Sequence, residues 1–216
     1  MTRTAQLSRQ SSQERQASLI QAATTLFAKK GFNGTTTKEI AKAAGISEAL
    51  VFKHFPTKRA LYAAILAEKV TVSELLSAME ESAKKRDDRR VFTLIAGYRI
   101  RPGVDPTLLR LLLFSALEGH ELSDMFFGKH HKVFYDHLAA YIHTRVVDGA
   151  FRQVDPLLAA RAFIGMVVHH RLLHEIFGVP MDRSHDDTVS TYVDVFLHGL
   201  VAAPQTGRAR KLRTRT

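Results

Sequence analysis

Cysteine is missing from the 216-residue chain. Its absence excludes disulfide frameworks, thiolate zinc sites and cysteine nucleophiles. Long apolar runs are missing too: the richest stretch, Leu108 to Leu117, already holds Arg110. No membrane span, and so no membrane partner, is expected. The first ten residues contain no apolar segment of the signal-peptide kind, which makes a cytoplasmic location the expectation. The chain also lacks a Gly-x-x-x-x-Gly-Lys-Ser/Thr loop, a Gly-x-Gly-x-x-Gly run and a Gly-x-Ser-x-Gly elbow. Nucleotide-cradling loops and a strained serine turn need those glycines. No catalytic residue and no cofactor is nominated, and the chain is not expected to be an enzyme. Proline is sparse, with six residues at 56, 102, 106, 156, 180 and 204. Each costs about 3 kcal/mol inside a helix, so these positions mark boundaries between elements.

What is present is charge, unevenly placed. The formal net charge is +10, from 31 Lys and Arg against 21 Asp and Glu. Residues 1–60 hold 10 basic and 3 acidic side chains, residues 61–206 hold 16 and 18, and residues 207–216 hold five and none. A near-neutral body therefore carries a basic head and a basic tail, a distribution that favours a polyanion partner.

Between the prolines the apolar residues repeat at helical period. Leu19, Ala22, Ala23, Leu26 and Phe27 follow the i, i+3, i+4, i+7, i+8 stripe, and Leu61, Ile65, Val72, Leu75 and Leu76 extend another along one long helix over 58–85. Further helices are expected near 88–100, 106–119, 122–148, 156–177 and 186–202. Asp105-Pro106 and Asp155-Pro156 each pair an N-cap aspartate with a first-turn proline, while Gly149 and Gly178 follow apparent helix ends. The fold class read from this pattern is all-α.

Three short helices fit before the long one. The first runs from about Gln13 to Lys30 and stops at Gly31. Thr36-Thr-Lys-Glu39 has the form of a capping box and opens the second. Gly45 can take the positive φ of a tight turn, Ile46 follows as an apolar plug, and Ser47 can cap a third helix over Glu48 to Phe55. Two short helices joined by a three-residue turn with glycine form a helix-turn-helix, whose second helix enters the major groove of DNA.

The run from Gly34 to Tyr62, with its Ala-Gly-Ile-Ser turn and Phe-Lys-His-Phe-Pro-Thr-Lys-Arg-Ala-Leu stretch, resembles the DNA-binding domain of TetR-family transcriptional regulators. The likeness covers residues 13–62; beyond it only length, helicity and helix order agree. It implies a flexible basic arm (1–12), a helix-turn-helix domain (13–59), a helical ligand-sensing and dimerisation domain (60–203) and a basic tail (204–216). The residue chemistry fits. Glu48, Ala49, Phe52 and Lys53 occupy the outer side of the third helix, where Lys53 can donate to guanine and Glu48 can accept from cytosine. Thr36, Thr37, Lys38, His54 and Lys58 suit phosphate contacts, aided by the N-terminus of the second helix, and Ser47, the cap of the third, belongs to the same DNA-binding set. Phe52 departs from the tyrosine common in the family, which removes a hydroxyl and keeps the apolar contact. Each position also has a plainer reading: Lys38 and Lys42 as a solvated face, Glu48 as a helix-dipole residue, His54 as a half-buried histidine.

For the body the resemblance implies an effector pocket and a dimer interface. Phe92, Ile95, Tyr98, Leu112, Phe114, Met125, Phe126 and Phe134 supply apolar walls, with Ser115, Glu118 and His137 as polar handles; the alternative is that these residues are simply core. Leu158, Ala162, Gly165, His169, Leu172, Val189, Val193, Phe196 and Leu197 are the expected interface of a two-helix pair with its copy. The partners so implied are a palindromic operator in double-stranded DNA, a second copy of the chain, and a small apolar or aromatic effector that releases the protein from DNA, as a repressor would be released. Eleven histidines raise a rival reading, an all-α metal-binding protein or enzyme, because His170 and His174 stand at i, i+4. The missing His-Glu-x-x-His pattern argues against it, and no metal ligand is assigned.

Overall fold

The computed structural model describes residues 11–69, 73–101, 105–118, 124–125 and 132–201. Ten helices account for most of them: α1 (Ser12–Lys30), α2 (Thr37–Ala44), α3 (Glu48–His54), α4 (Lys58–Lys69), α5 (Ser73–Lys84), α6 (Asp88–Ile100), α7 (Thr107–Leu117), α8 (Lys132–Val147), α9 (Pro156–Arg171) and α10 (His185–Leu200). A π-helical turn, Leu172–Ile176, continues α9. The single helix expected over 58–85 is instead two, α4 and α5. Residues 70–72, between them in sequence, lie outside the described residues. The arm before residue 11, the tail after 201 and Phe126 lie outside the described residues.

Helix ends follow local chemistry. Ser11 and Glu14 close a capping box on α1, and Thr36 and Glu39 close another on α2. Asp155 accepts from Leu158 N at 2.8 Å with Pro156 in the first turn of α9. At α7 the helix begins one residue later than expected: Pro106 is the cap and Asp105 accepts from Thr107 N at 2.9 Å.

Two cores result. The first gathers Leu19, Ala23, Phe27, Ile40, Val51, Phe55, Leu61, Tyr62 and Ile65, and also Leu111 of α7. Phe27, Phe32 and Tyr62 cluster within it, with ring centroids 5.4 to 5.8 Å apart. The second is built by α5, α6, α8, α9 and α10 around Phe92, which meets Phe163 at 4.9 Å, Phe196 at 5.0 Å, and Tyr141 and Phe151 at 6.4 Å each. A half-buried ionic cluster ties α6 to α8: Arg145 donates to Asp88 at 2.8 and 3.0 Å and to Asp148 at 2.8 Å, while Tyr141 donates to Asp88. Those carboxylates hold the Arg145 guanidinium firmly protonated, and burial, with Asp88 beside it, pushes the Tyr141 phenol well above its ordinary value.

Candidate nucleic-acid interface

The turn between α2 and α3 fixes the site. Gly45 sits at φ 68° and ψ 30°, a left-handed position that an L side chain enters only with strain. Its N–H and that of Ile46 return to the carbonyls of Lys42 and Ala41 at 3.3 and 3.0 Å, which closes α2 and redirects the chain. Ser47 then accepts from Leu50 N at 3.3 Å and starts α3. Val51 and Phe55 turn inward at 1% and 7% exposure, which leaves Ser47, Glu48, Ala49, Phe52 and Lys53 on the opposite, solvent-facing side. Phe52, 46% exposed on a seven-residue helix, offers about half of its apolar surface to solvent. Of its neighbours on this face Ser47 and Ala49 are short, Lys53 is cationic, and the Glu48 carboxylate is engaged by Thr37, so a duplex can approach closely.

The flanking groups are arranged around the same face. Thr36 and Lys38 are exposed, and Thr37 is half-buried. The Thr37 hydroxyl donates to the Glu48 carboxylate and so joins the first turns of α2 and α3. Glu39 is bound by Lys30 at 2.6 Å and by Thr36 N at 2.9 Å, contacts that lower its carboxyl from 4.5 to about 2. Both acidic side chains between Thr36 and Arg59 are thus engaged. Lys38, Lys42 and Lys53 remain exposed, and His54 is half-buried.

Lys58 has other partners than the phosphate read for it from the sequence. Its ammonium donates to the carbonyls of Phe32 and Thr35 at 2.6 and 2.9 Å and lies 4.2 Å from the Phe32 ring centroid. Burial lowers its pKa, partly offset by Glu118. It clamps the α1–α2 loop. Glu118, expected as a handle for an effector, holds the same loop from the other side. It ends α7 and accepts from the amides of Phe32 and Asn33 at 3.1 and 3.3 Å. A Cβ at Gly31, whose φ is 74°, would stand 2.1 Å from its Oε1. Tyr62 of α4 adds a bond to the Leu111 carbonyl at 3.3 Å. No sequence spacing relates 31 to 118; the packing of α1 on α7 creates the contact.

The other candidate effector residues divide between the two cores. Phe92, Ile95 and Phe134 are 0–1% exposed in the second core. Leu112 and Met125 pack against the first, Phe114 stands beside Gly31, and Ser115 is buried near Tyr62. Tyr98 lies under the Arg101 guanidinium. His137 is exposed at a pocket of about 50 Å³ lined also by Met79, Val91 and Tyr141.

Of the expected interface residues, Leu158, Ala162, Gly165 and His169 form an exposed stripe on α9. With Val195 and Phe196 of α10, Leu158 and Ala162 line a groove of about 460 Å³. Leu172 is half-buried, whereas Val189, Val193, Phe196 and Leu197 are spent on the protein's own core. His170 pairs with the Tyr192 hydroxyl at 3.1 Å, and His174, on the π-helical turn, with the Val179 carbonyl at 3.2 Å. Among the described residues no three His, Asp or Glu side chains are grouped to hold a metal, and no helix is long and apolar enough to cross a membrane.

Two family models match this chain: "Bacterial regulatory proteins, tetR family" over residues 19–65 and "AefR-like transcriptional repressor, C-terminal domain" over 106–199. The chain belongs to the TetR family. Among relatives in this family, the uncharacterized HTH-type transcriptional regulator YvkB of Bacillus subtilis is 46% identical over 50 residues, 23% of this chain and 26% of YvkB. The HTH-type transcriptional activator FasR of Mycolicibacterium smegmatis is 32% identical over 77 residues, 36% of this chain and 34% of FasR. The chain thus spans a quarter to a third of the length of these relatives. AibR, crystallised with isovaleryl coenzyme A and operator DNA, shares the fold with a TM-score of 0.66 at 22% identity, over 84% of this chain and 97% of its own.

Proposed function

We propose that this TetR-family chain is a transcriptional regulator that binds a palindromic operator as a homodimer and leaves it when its body takes up a small effector. It is a regulator rather than an enzyme, and it works in the cytoplasm. The observation that carries the reading is the exposed face of α3, where Phe52 and Lys53 project from a helix locked behind α2. Lys53 donates to guanine edges, Phe52 packs on thymine methyls or sugars, and Ala49 permits close approach. Thr36, Thr37, Lys38 and His54 meet phosphates beside the α2 N-terminus. The apolar groove between α9 and α10 supports a two-fold partner, which would set the two α3 helices about one helical turn of DNA apart or a multiple of it. Repression is the sign favoured by the C-terminal match, and AibR's coenzyme A ligand supports an effector-responsive body.

Glu118 and Tyr62 are the route from body to head. An effector that prefers one placement of α7 biases the loop held by Glu118, and hence α2 and α3, by its differential affinity for the two states. Selection from random duplexes at two salt concentrations tests the proposal. A palindrome should be enriched, and specific binding should exceed non-specific binding by at least about a thousandfold. Uniform binding that follows only the phosphate-driven salt slope would sink it. Transcription from the enriched operator, with and without protein, reads the sign.

A further inference from the structure

Several arginines of the body are matched to acceptors among the described residues, and the enclosed Nε of Arg99 is not. Arg145 has Asp88 and Asp148, Arg171 has both oxygens of Glu175 at 2.9 and 2.7 Å, Arg89 has Asp194, and Arg152 donates to the Gly199 carbonyl at 2.6 Å. Arg99 stands seven residues after Phe92 and four after Ile95, on the stripe of α6 that faces the core. Its side chain is half-buried, with the guanidinium carbon 5.1 Å from the Phe134 ring centroid. Its Nε is enclosed and has no hydrogen-bond partner. The groups that bear electrostatically on it are the phenols of Tyr135 and Tyr98 and the charge of Arg171, none of them a carboxylate, and burial lowers its pKa. Arg161 bears on the same Tyr135 from α9.

An enclosed guanidinium N–H with neither an acceptor nor a counter-charge is unfavourable, and an apolar side chain of similar size would suit its aromatic surroundings better. The helix dipole favours a cation in the last turn of α6 but gives no reason to enclose its Nε. Arg99 therefore has the fork geometry that oxyanions bind, aromatic surroundings, and a missing partner. We propose that Arg99 reads the acid group of the effector: the ligand is an amphipathic anion, its carboxylate or phosphate on Arg99 and its apolar part among Tyr98, Phe134 and Tyr135. The proposal rests on the effector-sensing reading of the body and adds the charge of the ligand to it.

Thermal denaturation of the full chain, alone and with octanoate, octyl phosphate or neutral octanamide, tests it on wild type, Arg99→Met and Arg145→Met. Without ligand, Arg99→Met should melt roughly 2–6 °C higher, because the lone charge is gone. Arg145→Met, which strands two aspartates, should melt lower and shows that the assay separates a paired arginine from an unpaired one. At least one of the two anions should raise the wild-type melting temperature, octanamide should not, and Arg99→Met should bind that anion at least about tenfold more weakly. Whether octanoate or octyl phosphate acts distinguishes carboxylate from phosphate. Any one of three results overturns the proposal: Arg99→Met melting at or below wild type, octanamide acting as well as the anions, or no anion effect that Arg99→Met removes. Operator binding by Arg99→Met should stay within about twofold of wild type. The regulator reading fails separately, when no operator is enriched at all.

Discussion

Lys58 and Lys53 lie five residues apart, carry the same charge and do different work. Lys53 reaches solvent from α3, whereas the Lys58 ammonium is held by two carbonyls and an aromatic ring. Truncating Lys58 to alanine leaves the Phe32 and Thr35 carbonyls short of a charged donor, a loss of about 2 kcal/mol. The melting temperature should fall by roughly 4–8 °C. Lys53→Ala should leave the melting temperature nearly unchanged and relax base preference at one operator position by about 1–3 kcal/mol, read from binding to single-base operator variants. A Lys58→Ala protein of wild-type stability whose salt slope drops by about one would return Lys58 to the phosphates.

The head's helices are short, so their ends matter more than their propensities. The second has eight residues, too few to persist alone in water, and its start is fixed by the reciprocal Thr36–Glu39 box with Lys30 reaching across from α1. Because these contacts lower the Glu39 carboxyl in the folded state from 4.5 to about 2, the unfolded chain binds its proton first as the solution is acidified. The stabilisation is complete above pH 4.5 and is lost as the pH falls towards 2. Urea denaturation across that window should show a shallower loss of stability for Glu39→Gln than for wild type. Thr36→Ala should cost about 1 kcal/mol at neutral pH. Parallel acid profiles for wild type and Glu39→Gln would mean that the box does not persist in solution.

Across the molecule, α7 comes from beyond α6 in sequence and packs on the head. Leu111 enters the head's core, Tyr62 bonds its carbonyl, and Glu118 holds the loop that precedes α2. Hydrogen bonds to an ionised acceptor contribute about 1.5–3 kcal/mol. Glu118→Ala should therefore speed amide exchange at Phe32 and Asn33 by about tenfold or more, with no change at Phe163 in the body's core. Operator affinity should weaken without a change in base preference, because α3 keeps its side chains and loses only its fixed placement. Unchanged exchange at both amides would remove α7 from the route between effector and operator.

Periodicity, caps and turn glycines in the sequence determined that this is a helical protein with a helix-turn-helix near its start. Those signals act over a few residues, and local dihedral preferences and capping bonds obey them wherever the segment is placed. The exposed side of α3 was legible for the same reason: once Val51 and Phe55 point inward, helical geometry leaves Phe52 and Lys53 outside. Tertiary packing decided the rest. It set Lys58 and Glu118 on either side of one loop, and buried Val189, Val193 and Leu197 within the protomer. It also left Arg99 on a core-facing stripe without a carboxylate. A charged group's role depends on which opposite charge lies within a few ångströms, and pairs such as Arg145 with Asp88, or Glu118 with Phe32, are set by helix packing across 57 and 86 residues of chain. No local pattern encodes such distances.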